Sequence, residues 1–268
     1  MKAVILARGL GTRMRKADEG AVLDAEQSAV ADQGMKAMIP IGRPFLDYVL
    51  SALADADCGD VCLVIGPEHT SIREYYEQSN RLNRVRVSFA IQERPIGTAN
   101  ALLAVEAFAG ADRFLVLNAD NYYPVAAYAA LRDLGEPGLI AFDRDALVAD
   151  GHIPPDRIRR YALLDIGADG YLRRIAEKPD EATARAMAGT PYVSMNVWCF
   201  DSGIFEACRT VAPSARGELE LPLAVQHAID RYGKRFRAVP MRASVLDLSS
   251  RADIAGVAAR LAGVEVRL

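Results

Sequence analysis

The stretch Lys2-Ala-Val-Ile-Leu-Ala-Arg-Gly-Leu-Gly-Thr-Arg13 decides how the rest of the chain is read. Ala3–Leu6 is a short apolar run suited to a buried β-strand, and it opens at once into a loop holding Gly9 and Gly11. Such a loop turns tightly and brings bare N–H groups close to a phosphate chain. Arg13 then adds a permanent charge on a planar fork that matches phosphate oxygens. The segment therefore predicts a domain organised around a nucleotide. It does not match the dinucleotide fingerprint, since Met14 stands where a third glycine is required and no acid follows a convincing second strand. The phosphate-loop NTPase pattern fails as well, because no Gly-Lys-Ser/Thr follows.

Working outward, apolar runs recur at Val61–Ile65, Val85–Ile91, Phe114–Leu117, Gly138–Phe142, Tyr161–Asp165, Ser194–Phe200 and Phe236–Val239. Stretches with helical periodicity lie between the early ones, at 45–56, 69–79 and 97–109. Strands alternating with helices predict an α/β fold with a Rossmann-like, mostly parallel central sheet and flanking helices. Beyond about residue 140 the strands crowd, which predicts a smaller mixed or antiparallel portion on the substrate side. The whole of 1–268 is expected to be a single domain, with 1–140 binding nucleotide and 141–268 the second substrate.

Composition narrows the function. The chain has 268 residues, 51% hydrophobic and 25% charged, with a formal net charge of −3. That balance offers no basic footprint for nucleic acid or an anionic membrane. No apolar run approaches the roughly 18 residues of a membrane span, and the one after Lys2 is too short for a secretory leader. The expectation is a cytoplasmic protein. Cys58, Cys62, Cys199 and Cys208 have no metal-ligand spacing, nor do His69, His152 and His227 lie near enough in sequence to complete a site. The cysteines are expected to be small buried hydrophobes.

Ligands of open α/β sheets bind beyond the carboxyl ends of the strands. Three loaded segments fall there. Asn118-Ala-Asp120 ends an apolar run in a carboxylate, suited to a hard divalent cation that takes one or two carboxylates plus phosphate. Val245-Leu-Asp247 repeats the design. Gln92 presents a donor and an acceptor for a base edge, Gly97 allows close backbone approach, and Thr98 is placed to cap the helix that follows. Glu177 and Lys178 set an acid and a cation side by side after a strand-like run.

Taken in order, these pieces resemble the sugar-1-phosphate nucleotidyltransferase family. The resemblance is carried by Leu6-Ala-Arg-Gly-Leu-Gly-Thr-Arg13, Lys36-Ala-Met-Ile-Pro-Ile-Gly-Arg-Pro-Phe45, Pro95-Ile-Gly-Thr-Ala99 and Asn118-Ala-Asp120. It continues through Glu177-Lys-Pro179, Ser194-Met-Asn196, Gly217-Glu-Leu-Glu-Leu221 and Asp247. It implies joining a nucleoside triphosphate to a sugar 1-phosphate with loss of pyrophosphate, aided by Mg²⁺ on Asp120 and Asp247. By the same resemblance Arg13 holds the β,γ-phosphates, Lys36 neutralises the α-phosphate and Lys178 orients the sugar phosphate. Leu6, Ala7, Gly9, Gly11, Thr12, Thr98 and Asn118 surround the nucleotide, whose base Gln92 and the Gly97 backbone read. Glu177 and Asn196 hold sugar hydroxyls. A Gln amide suits the imide edge of uracil or thymine, so UTP or dTTP is expected. A guanylyl or cytidylyl donor, or a regulatory homologue without chemistry, is the alternative. A homo-oligomer is in keeping with the family, and a chain ending at Leu268 is expected to carry no β-helical acyltransferase domain.

Three departures stand out. Arg8 replaces a small residue of the phosphate loop. Ala162 replaces a glycine whose amide tends to face the sugar. Arg13 and Lys36 are 36 − 13 = 23 positions apart, about twice the usual gap, marking an insertion within 16–34. The insertion has few large apolar residues beyond Val22, Leu23 and Val30. It is expected to hold a short helix between Ala21 and Ala31 and to act as a lid ordered by ligand.

Overall fold

The computed structural model describes residues 1–18, 20–78, 82–150, 153–187 and 189–268. Glu19 of the insertion, the end of the 69–79 stretch and His152 lie outside them. The opening run forms β1 (Lys2–Leu6), and the others give β2 (Asp60–Ile65), β3 (Arg86–Ile91) and β4 (Phe114–Asn118). β1 pairs in parallel with both β2 and β4, and β2 with β3, giving a parallel half in the order β3-β2-β1-β4. β1, β2 and β4 read as continuous apolar runs because both faces are covered, whereas the edge strand β3 is only half-buried and carries Arg86 and Ser88. Along β1, Ala3 and Ile5 point into one apolar layer and Val4 into the other; on β4, Leu115 and Leu117 oppose Phe114 and Val116.

The sheet does not stop at β4. After the short β5 (Asn121–Tyr122) come β6 (Gly138–Asp143), β7 (Ala162–Ile166), β8 (Leu172–Ala176), β9 (Tyr192–Ser194), β10 (Trp198–Phe200), β11 (Arg237–Met241) and β12 (Leu246–Asp247). β10 runs antiparallel between β4 and β6, and β9, β7 and β8 extend the same sheet antiparallel. The mixed portion is thus continuous with the parallel half. Among the described residues, β5 and β12 pair apart from it, as a two-stranded ribbon.

Two expected elements are interrupted. The run 194–200 is split into β9 and β10, because Asn196 between them takes a left-handed backbone with φ of 59°. A strand cannot pass through that conformation, and the break lets the two halves pair with different neighbours. The expected helix over 97–109 divides into Thr98–Leu103 and Glu106–Ala109. In the insertion, the helix is Ala25–Gln33 rather than 21–31, because Asp24 and Gln27 form a reciprocal cap at its start. All four cysteines are free and buried, and burial pushes the Cys62 and Cys199 thiols up to about 11 and Cys208 to about 12. Among the described residues no helix is long and apolar enough to cross a membrane.

Candidate functional site

A cavity of about 500 Å³ opens beyond the carboxyl ends of β1, β2, β3 and β4. Fifteen residues expected at the site line it: Leu6, Ala7, Gly9, Gly11, Thr12, Arg13, Lys36, Gln92, Gly97, Thr98, Asn118, Asp120, Glu177, Lys178 and Asn196. Parallel β1 and β4 place Leu6 opposite Asn118, so the phosphate loop and the 118–120 tip leave the sheet side by side.

The loop is braced by the insertion. A Cβ built on Gly11 would sit 2.1 Å from the Gly34 carbonyl oxygen, so the two glycine backbones are in direct contact. Polar ties hold the helix Ala25–Gln33 in place: Arg15 donates to the Gln33 carbonyl at 2.9 Å and Gln27 Nε2 to the Pro40 carbonyl at 3.0 Å. Ala31 is its one fully buried side chain. The insertion's last residue, Gly34, lines the cavity, whereas Val22 is 92% exposed.

Arg13 sits in the short helix Thr12–Arg15, exposed on the cavity wall, and no ion pair involves it among the described residues. Lys36 Nζ lies 2.7 Å from Asp120 Oδ2, so a cation and a carboxylate share the cavity floor. Gln92 is buried, and its Nε2 donates to the Gly97 carbonyl and to Asn100 Oδ1, both at 3.0 Å. A carbonyl can only accept, which fixes the orientation of the Gln92 amide. Both amide donors are thereby used, and what Gln92 has left for a ligand is its Oε1 acceptor. Thr98 is not the cap that spacing predicts. The chain enters the helix through Gly97, and the Thr98 hydroxyl accepts the Leu221 N–H at 2.8 Å.

On the second side of the cavity, Asn196 and Lys178 both have positive φ, 59° and 42°. Backbone held in that region tends to mark ligand sites. Asn196 Oδ1 is buried with no hydrogen-bond partner among the described residues, and the residue itself lines the cavity. Glu177 and Lys178 form an ion pair of 3.6 Å. Burial pushes the Glu177 carboxyl up; Lys178 opposes that and the Glu220 charge reinforces it.

A carboxyl raised in the folded state favours folding at low pH, and that contribution is lost as pH rises through its folded value. Glu177→Gln, which mimics the protonated form at every pH, is therefore expected to raise the melting temperature more at pH 8 than at pH 5. Thermal melts at the two pH values check this; a gain confined to pH 5 would remove the reading.

Two expected residues do not reach the cavity. Ala162 is buried in an apolar layer at the start of β7, its backbone paired with Ser194, so the strand turns it inward and away from the cavity. Asp247 is brought beside Asp120 by the ribbon, where the Leu248 N–H donates to the Asp120 carbonyl at 2.8 Å, but its carboxylate stands behind the cavity. Its oxygens accept from Ser249 Oγ at 2.8 and 2.9 Å, Tyr161 Oη at 3.0 Å and Arg157 Nη1 at 3.2 Å. Burial pushes the Asp247 carboxyl up and the neighbouring Asp120 charge adds to the push.

Sequence reasoning also left residues without a role. Arg157, Tyr161 and Ser249 hold Asp247, and Arg216 and Glu220 pair on the cavity rim beside Glu218. His69 lines the cavity, its Nδ1 accepting the Gly66 N–H at 3.2 Å. Arg157 and Tyr161 are defined by a partner about 90 residues away, whereas Ser249, His69 and the Arg216–Glu220 pair have near neighbours that the loop conformation alone brings together.

Residues 2–244 match the family model described as nucleotidyl transferase. The chain is 28% identical over 234 residues to the glucose-1-phosphate thymidylyltransferase of Streptomyces griseus, a match covering 86% of this chain and 58% of that protein. It is 28% identical over 255 residues to the UTP–glucose-1-phosphate uridylyltransferase of Haloferax volcanii, covering 94% of this chain and 93% of that one. The fold is similar to a UTP-bound UGPase from Acinetobacter baumannii, with a TM-score of 0.74 at 17% identity over 99% of this chain and 95% of that one.

Proposed function

The chain belongs to the nucleotidyl transferase family, and on that premise we propose that it transfers a nucleotidyl group from UTP or dTTP to a sugar 1-phosphate. One observation carries the reading. A single cavity joins the phosphate loop, the uncommitted Arg13 and the Lys36–Asp120 pair to Glu177, Lys178 and the orphaned Asn196 oxygen. The first group suits a triphosphate and the second a phosphorylated sugar. Glucose 1-phosphate is the first sugar to test, being named for relatives of the chain.

In this reaction a sugar-phosphate oxygen attacks the α-phosphorus in line as pyrophosphate leaves. The nucleophile is already an anion, so no general base is required. Among the described residues no serine or cysteine lines the cavity, which suits a mechanism of positioning and charge neutralisation. Lys36 neutralises charge growing on the α-phosphate, Arg13 holds the departing phosphates, and Lys178 orients the incoming one. Gln92 Oε1 accepts the imide N–H of uracil or thymine. Asp120, on the cavity floor, is the carboxylate that would hold Mg²⁺ beside the phosphates. Asp247 lies next to it but outside the cavity lining, and would join only by giving up its bonds from Ser249, Tyr161 and Arg157. When bound, the cation supplies positive charge to phosphate oxygens.

The test is pyrophosphate release from five nucleoside triphosphates against a set of sugar 1-phosphates, with Mg²⁺ and after chelation. UTP or dTTP with one sugar, active only with metal, is the expected result. A preference for GTP or CTP would sink the base assignment, and silence across the whole set would sink nucleotidyl transfer.

Asn196 gives a separate expectation. Asn196→Gly keeps the left-handed backbone, which glycine adopts freely, and removes only the amide. The KM for the sugar phosphate should rise about 3- to 10-fold, the scale of one neutral hydrogen bond, with the nucleotide KM unchanged. Equal changes in both would take Asn196 out of the sugar side.

A further inference from the structure

We propose that Arg8 is a second guanidinium for the phosphate chain of the incoming nucleotide, parked on Glu68 until the nucleotide arrives. The inference rests on the nucleotide reading above and adds a residue to it. Arg8 lies two residues past the end of β1 and immediately before Gly9 of the phosphate loop, on the cavity wall. Its side chain is only 7% exposed, yet Nε and Nη1 are buried with no hydrogen-bond partner among the described residues. Among the described residues its side chain is tied only through Nη2, to the two carboxylate oxygens of Glu68, both at 3.2 Å.

That arrangement leaves most of a five-donor fork unused, and desolvated donors without acceptors are costly to keep. Phosphate oxygens are the acceptors that such a planar fork matches, and they would enter beside it with the loop. The parking place is also built into the chain. A Cβ on Gly66 would lie 2.4 Å from Arg8 Nε and 2.4 Å from Glu68 Oε2, so the bare backbone at 66 makes room for the pair. Glu68 is 50% exposed and returns to water when Arg8 leaves it. A fixed structural ion pair would instead satisfy the remaining donors locally.

Titration calorimetry with UTP, UMP and uridine on the full chain, comparing wild type with Arg8→Ala and Glu68→Ala, tests this. Arg8→Ala should weaken UTP about 10- to 100-fold, the scale of lost charge-assisted hydrogen bonds, and leave uridine unchanged. Glu68→Ala keeps Arg8 and removes its competitor, so UTP should bind several-fold tighter. If Arg8→Ala does not fold, the Glu68→Ala arm decides alone. Unchanged UTP affinity in Arg8→Ala, an equal loss for uridine, or weaker or unchanged UTP binding in Glu68→Ala would overturn the role of Arg8 and leave the nucleotide reading standing. A wild type that binds none of the three would bring down both.

Discussion

Replacing Arg13 with alanine is expected to lower turnover by about 10²- to 10³-fold, the scale of one electrostatic contact made in the transition state. The melting temperature should hardly move. Arg13 is exposed on the cavity wall, and no salt bridge or side-chain hydrogen bond involves it among the described residues. Nothing in the fold is left unpaired when it goes. Lys36 differs in this respect: its removal would strip the 2.7 Å partner from Asp120 and mix a catalytic effect with a change in the cavity floor. Arg13→Lys should recover only part of the activity, because an ammonium keeps the charge and loses the planar fork. Steady-state pyrophosphate release and thermal melts measure both quantities. A rise in the nucleotide KM with kcat unchanged would place Arg13 on the bound triphosphate alone, with no share in stabilising the departing pyrophosphate.

Gly97→Ala should be among the most damaging single methyl groups in the site. Gly97 has φ of 122°, and a Cβ there would meet the oxygen, nitrogen and carbonyl carbon of Leu219 at 2.3, 2.6 and 2.7 Å. All three are backbone atoms, so no side chain can swing aside. The two loops are moreover zipped together at this point. Leu219 donates to the Ile96 carbonyl and Ala99 to the Leu219 carbonyl, each at 2.8 Å, and Leu221 donates to the Thr98 hydroxyl. Relieving the methyl group opens that zip. The expected cost is about 3 kcal/mol, combining a disallowed backbone with lost hydrogen bonds, or roughly 6–12 °C in melting temperature for a chain of this size. Activity should fall with it, because the Gly97 carbonyl fixes the Gln92 amide. Gly9→Ala is the control: open space surrounds its Cβ, so the fold should keep its stability while nucleotide binding weakens. A Gly97→Ala protein that melts with wild type would refute this account of the loop.

Much of this molecule is determined locally. Continuous apolar runs made β1, β2 and β4 legible as strands buried on both faces, and helical periodicity between them gave the parallel half its connections. The loop 7–13, the tip 118–120 and the pair 177–178 were legible because each places its polar groups directly after a strand-like run. What had no local signature was every contact made by groups far apart in the chain. Nothing near Asp247 reveals that the ribbon brings it beside Asp120, or that Arg157 and Tyr161 take up its oxygens. The Thr98 hydroxyl went to Leu221 instead of its own helix. Nearer in sequence, the fold of the 92–100 loop gave the Gln92 donors to Gly97 and Asn100. Asn196 broke an apolar run that reads as one strand, since its left-handed backbone is held by the sheet on either side. Ala162 turned into the apolar layer through strand register, which one residue's shift would reverse. Short-range propensity sets which elements form. Which polar groups remain free for a ligand is settled only when buried donors and acceptors find their partners across the assembled sheet.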